Sequence, residues 1–147
     1  PHLTVTLLDS LNKRVRFLTE VTAAMGLPNV RCIHARAEEA ARTAEHRAAY
    51  DIAVSRAVAR LPVLLEYTLP FVRVGGTLLA LKGRAYAAEQ KEARRAAEVL
   101  GGGRIMARPV HLPGLDDVRV ILTVTKERQT PAAYPRGGGA PTRRPIL

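Results

Sequence analysis

The sequence predicts an α/β fold with a mostly parallel sheet that finishes in an antiparallel hairpin. Short apolar runs rich in β-branched residues alternate with stretches of helical spacing over most of the chain. The clearest case is Leu3–Ser10 (LTVTLLDS), which passes directly into a helical pattern. Two further strand patterns, Arg104–His111 and Val118–Lys126, follow one another with no helix between them, which favours a hairpin.

In the first part of the chain, the helix predicted after the opening strand spans Leu11–Met25. Its apolar residues recur at helical spacing, and Gly26 with Pro28 ends it. A short strand is predicted over Val30–His34, followed by an alanine-rich, charged surface helix over Ala37–Arg47.

The middle of the chain repeats this alternation. A buried strand is predicted over Tyr50–Ser55, and a helix over Leu61–Val72, whose first turn tolerates Pro62. Adjacent glycines at 75 and 76 turn the chain into a parallel-type strand at Thr77–Leu81. The longest predicted helix, Ala85–Leu100, ends at the glycines of positions 101–103.

The composition changes sharply after residue 126. Residues 127–147 hold the glycine run Gly137–Gly139, four prolines and several arginines, which predicts a flexible basic tail. We therefore expect a folded domain over residues 1–126 and a tail over residues 127–147.

Asp9 is the first candidate site residue, because it ends the opening strand at the edge where open α/β sheets hold ligands. A carboxylate there can accept two hydrogen bonds from the vicinal hydroxyls of a ribose, as in dinucleotide and S-adenosylmethionine sites. Asp is also a common cap of a following helix. Both roles stay open on this feature alone.

The charge balance predicts a polyanionic partner. The 147 residues carry 23 Lys and Arg against 13 Asp and Glu, a formal charge of +10. Nucleic acid fits first, a lipid surface second, and a basic enzyme without such a partner third. No run approaches the roughly 20 apolar residues of a membrane span, so no membrane partner is expected. The single cysteine, Cys32, fits a reducing cytoplasm and a core position.

Common ligand motifs are missing from the sequence. It contains neither G-x-G-x-x-G nor the P-loop pattern. Its histidines lack the spacing and the cysteine neighbours of a zinc site, so no metal is expected. From the residues alone, the prediction is a basic α/β domain with a nucleoside-type site.

Six segments, in order, resemble the bacterial 16S rRNA guanine-N(7) methyltransferase family (RsmG, also called glucose-inhibited division protein B). They are LLDSLNKRVRFL (7–18), HARAEE (34–39), YDIAVSRAVARL (50–61), GGTLLALKG (75–83), LPGLDDVR (112–119) and TPAAYPR (130–136). The resemblance implies a class I S-adenosylmethionine-dependent methyltransferase (Rossmann-like) sheet. It also implies S-adenosyl-L-methionine as methyl donor and 16S rRNA or the small ribosomal subunit as substrate.

The resemblance also implies that this chain is a fragment. The family's first strand and glycine-rich loop would lie immediately upstream of Pro1. Their absence would leave the domain incomplete at its N-terminus, with two exposed strand edges and half of the cofactor cradle missing. We therefore expect the isolated chain to bind the cofactor weakly and to be inactive, and we expect a monomer.

Matching positions imply the cofactor-binding residues. Asp9, Ser10 and the backbone of Leu11 correspond to the ribose-binding turn, and Ala37 and Glu38 to the pair beside the adenine.

Arg56, in SRAVAR, matches a cofactor-contacting arginine of the family. Its planar fork suits a carboxylate or a phosphate. A pairing of Arg56 with a surface acid is the alternative.

The reaction implied by the family needs no general base, because guanine N7 carries a free lone pair and no proton. The strand end at SRAVAR offers no acid, and no [DN]-P-P-[YFW] loop occurs. We therefore name no catalytic acid or base, only positioning residues.

RNA-binding residues are predicted from charge and from their place at strand ends or in the tail. They are Lys13, Arg14, Arg60, Lys82, Arg119, Arg136, Arg143 and Arg144. Candidates for stacking on a base are Tyr67, Tyr86 and Tyr134.

Two other functions remain open at this point. Another nucleotide-cofactor enzyme on the same fold, such as a nicotinamide-dependent dehydrogenase, could use Asp9 for its ribose. A non-enzymatic RNA-binding module would need only the basic residues.

Overall fold

The computed structural model describes residues 2–147, and within them the side chains of all but residues 115 and 116. The chain forms two compact units, the first ending at Ala40 and the second running from Ala41 to Leu147. The strands are β1 (Val5–Asp9), β2 (Val30–His34), β3 (Tyr50–Arg56), β4 (Val72–Lys82), β5 (Gly102–Leu112) and β6 (Leu115–Lys126). The α-helices are α1 (Asn12–Ala24), α2 (Ala37–Ala40), α3 (Leu61–Thr68), α4 (Tyr86–Glu92), α5 (Arg94–Val99) and α6 (Ala140–Arg143).

The first unit is a two-stranded parallel sheet with a helix packed on it. β1 pairs with β2 from Val5↔Val30 to Asp9↔His34, so the carboxyl ends of the two strands are level. Parallel strands need a crossover, and α1 supplies it. The helix buries Val15. The predicted strand Val30–His34 is confirmed, and the predicted first helix is one residue too long at each end.

The second unit holds a four-stranded sheet in the order β3-β4-β6-β5. β3 and β4 are parallel, whereas β6 runs antiparallel to both of its neighbours. The predicted architecture of parallel strands followed by an antiparallel hairpin is therefore confirmed. Within residues 2–147, β1 pairs only with β2 and the outer edge of β3 has no partner.

One face of the larger sheet forms the core. Alternate residues of β4 and β6 point to the same face, and Leu78 and Leu122 from these strands pack with Leu61, Leu65 and Leu100 in one buried cluster. The opposite face exposes large apolar side chains, among them Ile52, Val54, Leu81 and Met106.

β4 begins five residues earlier than predicted and contains the two glycines instead of following them. Its register against β3 slips between Tyr50↔Val72 and Ile52↔Thr77. A Cβ at Gly76 would lie 2.5 Å from the carbonyl oxygen of Asp51, so only glycine fits at this close approach. The pair of glycines marks a bulge in a continuous strand and not a turn before it.

Three predicted helices are shorter than expected. The helix predicted over Ala37–Arg47 ends at Ala40, and the residues after it form turns. The helix predicted over Leu61–Val72 ends at Thr68 and continues only as a 3₁₀ turn. The helix predicted over Ala85–Leu100 divides at Ala93, which is fully buried. Alanine favours helix locally, but packing decides where each helix ends.

The expectation of a flexible tail over residues 127–147 does not hold, because the segment is docked on the second unit. Arg47 donates to the backbone oxygens of Thr130, Pro131 and Tyr134, and Arg42 donates to that of Pro135. These two arginines therefore hold the segment by its backbone.

In residues 2–147 no helix has the length and apolar character that crossing a membrane requires.

Candidate cofactor and RNA site

The turn after β1 is built around the Asp9 carboxylate. Its Oδ1 accepts a hydrogen bond from the backbone N–H of Leu11 at 2.8 Å. Among the described residues, its Oδ2 has a long contact of 3.4 Å with the exposed Arg14 guanidinium. Leu11 is the N-cap residue of α1, which has no side-chain capping hydrogen bond, so Asp9 fixes the turn before the helix and does not cap it. The Asp9 carboxylate retains lone pairs for further donors, as the ribose role requires.

The carboxyl ends of β1 and β2 are tied together. The backbone N–H of Ala35 donates to the carbonyl of Asp9, and His34 Nε2 lies 3.1 Å from the carbonyl oxygen of Ser10. These contacts fix the turn that carries the predicted ribose-binding residues.

The predicted adenine-side residues, Ala37 and Glu38, lie in the first turn of α2. Glu38 is buried and accepts a hydrogen bond from Arg36 Nε at 2.8 Å. A buried carboxylate needs such a partner. The pairing fixes the orientation of Glu38 beside the end of β2.

A cleft of about 610 Å³ opens in the second unit at the carboxyl ends of β3 and β4. Three basic residues, Arg56, Lys82 and Arg119, line it together with apolar side chains of β5 and β6. Three residues predicted from separate segments therefore share one concave surface. A partly apolar cleft with a few convergent polar groups is the usual form of a ligand site.

The cleft is electrostatically positive. Among the residues described, no hydrogen bond or ion pair engages the exposed Arg56 side chain, so no acidic partner of Arg56 is observed. Arg119 contacts Asp117, which also accepts from Arg84. Among the residues whose side chains are described, those that line the cleft include no Asp or Glu. An anionic group, such as a carboxylate or a phosphate, is the ligand chemistry that this surface favours.

Within residues 2–147, no group of three or more His, Cys, Asp or Glu side chains is arranged to hold a metal ion. The groups that could bind a ligand in the cleft and at the Asp9 turn are arginines, carboxylates and backbone groups.

A family model described as GidB, rRNA small subunit methyltransferase G, matches residues 1–113. This match covers most of the chain. The chain belongs to this family.

Curated relatives agree with the family. The ribosomal RNA small subunit methyltransferase G of Desulforamulus reducens is 47% identical over 146 residues, which are 99% of this chain and 61% of the relative. The same enzyme of Acetivibrio thermocellus is also 47% identical, over 99% of this chain and 60% of its own length. The chain thus spans about 61% of the length of the relatives that it matches.

Solved structures show the fold of this chain. They include M. jannaschii TYW2, crystallised in complex with AdoMet, with 19% identity and a TM-score of 0.63 over 87% of this chain and 59% of that one. Aeropyrum pernix fibrillarin, with natively bound S-adenosyl-L-methionine, has 16% identity and a TM-score of 0.58 over 85% and 56%. The fold is that of the class I S-adenosylmethionine methyltransferases.

The contacts of Lys82 bear on the RNA-binding role predicted for it. Its side chain is only 12% exposed, and its ammonium donates to Glu89 Oε2 and to the carbonyl of Ala59, both at 2.7 Å. These contacts are internal, although the residue borders the cleft. An RNA phosphate would have to compete with them, and the RNA-binding role of Lys82 stays a prediction.

Arg136, also predicted as an RNA contact, is engaged within the protein. Its guanidinium and backbone N–H both donate to the fully buried Glu66 on α3. The hydrogen bonds that Arg136 donates to Glu66 raise the pKa of Arg136 above its ordinary value. Arg60 is exposed but paired with Glu92 of α4. Lys13, Arg143 and Arg144 are exposed, as an RNA-binding role requires.

The tyrosines proposed for stacking are all engaged. Tyr67 lies within hydrogen-bonding distance of Thr142, Tyr134 lies under the Arg136 guanidinium, and Tyr86 packs against the core. A base would have to displace one of these contacts in order to stack.

Sequence reasoning missed Glu66, Glu89 and Ala57. A lone acid within the apolar helix LPVLLEYT was a usable signal for Glu66, because a buried carboxylate implies a buried partner. Glu89 gave no such signal on its polar helix. Ala57 has a φ of 55°, a left-handed conformation that nothing in its identity predicts.

Proposed function

We propose that the full-length protein carrying this chain transfers a methyl group from S-adenosyl-L-methionine to N7 of a guanine in 16S rRNA. The observation that carries the proposal is the cleft at the carboxyl ends of β3 and β4, where the exposed Arg56 has no acidic partner among the described residues. This edge of an α/β sheet is where such folds hold nucleoside ligands. Membership of the methyltransferase G family supplies the substrate class.

In this proposal the Asp9 turn and the first turn of α2 bind the nucleoside part of the cofactor. Asp9 accepts hydrogen bonds from the ribose hydroxyls through the lone pairs that the Leu11 N–H leaves free. Ser10 and the Leu11 backbone complete that turn, and Ala37 with Glu38 lies beside the adenine. Charge-assisted bonds of this kind are stronger than those between neutral groups.

Arg56 is proposed to bind the carboxylate of the methionine moiety. Its guanidinium can offer two parallel donors to a carboxylate, which fixes the orientation as well as the position of the ligand. The exposed side chain carries no recorded partner among the described residues, so none has to be displaced when the ligand binds.

The bound cofactor supplies a methyl group on a sulfonium sulfur, which an unprotonated nitrogen can displace in line. Guanine N7 has no proton to lose, so the chain's residues need not act as acid or base. Their work is to hold the two reactants at near-attack distance, a term that supplies roughly 7 to 11 kcal/mol. In the described part of the chain, the residues that line the cleft include no carboxylate, which supports this assignment.

RNA would be held by cations that remain exposed. Arg119 lies in the cleft, and Lys13, Arg143 and Arg144 lie on the surface. Together with the formal charge of +10, they favour phosphate contacts and steep salt dependence. We propose 16S rRNA or the small ribosomal subunit as the partner, in the cytoplasm, with the protein acting as a monomer.

The test uses the full-length protein, radiolabelled S-adenosylmethionine and small-subunit rRNA from cells that lack the enzyme. We expect label on N7 of one guanine. Asp9→Ala should lower the transfer rate by about 100-fold, the effect of losing two charge-assisted hydrogen bonds, and should leave RNA affinity unchanged. Asp51→Ala is the matched control, because Asp51 is an exposed acid of β3 that pairs with Arg73.

Equal rates for these two variants would contradict the role of Asp9. Absence of label, with cofactor binding intact, would overturn the substrate and leave only the fold.

The free outer edges of β1 and β3 favour a separate expectation for the 147-residue chain by itself. We propose that it binds S-adenosylmethionine weakly, with a Kd above about 1 mM, equivalent to less than about 4 kcal/mol of binding free energy. Isothermal titration measures this directly. Binding in the low micromolar range would show that the chain holds the complete cofactor site.

A further inference from the structure

An ion pair between Lys82 and Glu89, two side chains of low exposure, holds the loop between β3 and α3. This loop, residues 57–60, follows Arg56, and its first residue, Ala57, lines the cleft. The Lys82 ammonium donates to the carbonyl of Ala59, in the middle of the loop, at 2.7 Å. Glu89 Oε2 accepts the backbone N–H of Leu61, where the loop enters α3, also at 2.7 Å.

The two charged groups are bound to each other as well as to the loop. Lys82 Nζ lies 2.7 Å from the same Glu89 oxygen, and the two side chains are 12% and 14% exposed. Low exposure strengthens each of these hydrogen bonds and makes the loss of either partner costly. One ion pair therefore fixes two backbone groups of a short loop.

The loop needs such support because its backbone starts in a strained conformation. Ala57 has a φ of 55°, in the left-handed region that residues with a Cβ adopt only when their surroundings impose it. Strained residues of this kind are common at functional sites. Here the strained residue, Ala57, directly follows Arg56 and is the first residue of the loop. The contacts at Ala59 and Leu61, together with the ion pair of Arg60 with Glu92, fix the loop that follows this residue.

We propose that Lys82 and Glu89 are positioning residues for methyl transfer, because they fix the loop that sets the place of Arg56 in the cleft. The inference rests on the proposed function for its link to catalysis. Lys82 acts through the Ala59 carbonyl, and Glu89 through the Leu61 N–H and through Lys82. Neither residue contacts substrate or cofactor.

The test compares Lys82→Met, Glu89→Met and the double variant in the full-length protein with Glu66→Gln. Glu66 is the matched control, because it is a buried acid bonded to a basic partner, Arg136, and it does not line the cleft. The thermal midpoint of each variant is measured first, and kinetics are run at a temperature where all are folded.

We expect each single methionine variant to raise KM for S-adenosylmethionine or lower kcat by about 10- to 100-fold, as for misplaced reacting groups. Lys82→Arg, which keeps the charge and the donors, should retain activity within about 10-fold of the unsubstituted protein. Glu66→Gln should lose thermal stability with its KM unchanged. If Glu66→Gln and the methionine variants share one kinetic pattern, the positioning role is wrong.

A second measurement does not depend on activity. Glu89→Met should speed hydrogen exchange of the Leu61 amide by at least about 10-fold, since the amide loses its acceptor, whereas Glu66→Gln should not. Unchanged exchange in Glu89→Met would overturn the proposal even if methyl transfer by the unsubstituted protein were absent.

The remaining outcome concerns RNA. If Lys82→Met weakens RNA binding with a reduced salt dependence while Glu89→Met does not, Lys82 is a direct phosphate contact. That result would also overturn the positioning role.

Discussion

Strands and helices alternate in both units of the chain, but the two units bury very different amounts of apolar surface. In the described part of the first unit, the buried apolar side chains are Val15 and Ala40, while Leu3, Phe17 and Met25 are more than half exposed. The second unit closes a leucine-rich cluster between its sheet and helices α3 and α5. Small units bury a smaller fraction of their surface, so the Asp9 turn rests on the less stabilised part of the chain.

Buried charge occurs in both units, but its partners differ. In the first unit the buried Glu38 accepts a hydrogen bond from Arg36, two residues before it. The second unit encloses Glu66 and Lys126 and nearly encloses the pair of Lys82 and Glu89. Buried charges are tolerated only where hydrogen bonds satisfy them, and Glu66, Lys126 and Lys82 are bonded to groups 70, 57 and 23 residues away. The second unit is therefore held together by specific polar contacts as well as by its core.

The largest expected effect is a difference between core substitutions in the two units. Leu65→Ala in the second unit should lower the free energy of unfolding by about 3 to 4 kcal/mol, the usual loss for a fully buried leucine. Val15→Ala in the first unit should cost about 1 to 2 kcal/mol, because fewer methyl groups leave a less complete core.

Hydrogen exchange of the strand amides measures both losses in their own unit. Equal losses in the free energy of unfolding for Leu65→Ala and Val15→Ala would mean that the first unit is as well packed as the second, contrary to what we expect.

The next effect concerns Lys126, which belongs only to the second unit. Burial, and then the charge of Arg47, lower the pKa of Lys126 from 10.5 to about 8. The ammonium donates to the carbonyl of Leu69 and to Thr130 Oγ1. Because the folded protein releases the Lys126 proton more readily than the unfolded chain does, this group destabilises the fold below pH 8.

The free energy of unfolding should therefore rise between about pH 8 and 10.5, by at most about 3 kcal/mol. Lys126→Met should remove this rise, and urea unfolding at several pH values checks it. A rise that persists in Lys126→Met would assign the pH dependence to other groups.

The smallest expected effect is a loss of stability that should be about equal in the two units. Gly26 in the first unit and Gly114 in the second have φ values of 63° and 78°, and nothing lies within 4 Å of a Cβ added at either position. Alanine at each should cost about 1 kcal/mol through backbone strain alone.

Thermal unfolding of the two variants provides this comparison. Similar losses would confirm that the units differ in packing and not in backbone rigidity. A larger loss for Gly114→Ala would point to packing at the hairpin turn.

Local patterns predicted most of the fold and part of the site. The β-branched run at Val30–His34 and the uninterrupted hairpin sequence are local signals, and both elements formed as expected. The Arg56 and Arg119 assignments also came from strand ends, and both residues line the cleft.

Where the structure differs from what local sequence patterns indicate, the cause is contact with residues that lie elsewhere in the sequence. Arg47, expected in a helix, instead holds the C-terminal segment, and that segment was expected to be flexible because of its prolines and glycines. Lys82 and Arg136 were predicted to meet RNA, but acids 7 and 70 residues away engage them. Neither acid could be assigned to its partner before the fold was known.

The capture of the C-terminal segment through its backbone oxygens bears on how this region can vary and be labelled. Arg42 and Arg47 contact the main chain at Thr130, Pro131, Tyr134 and Pro135, and the side chains of Ala132 and Ala133 are exposed between those points. Substitutions of these two alanines should change stability little, since Arg42 and Arg47 bind backbone oxygens, which every amino acid has. The same positions can carry a fluorophore that reports on the protein and leaves its architecture undisturbed.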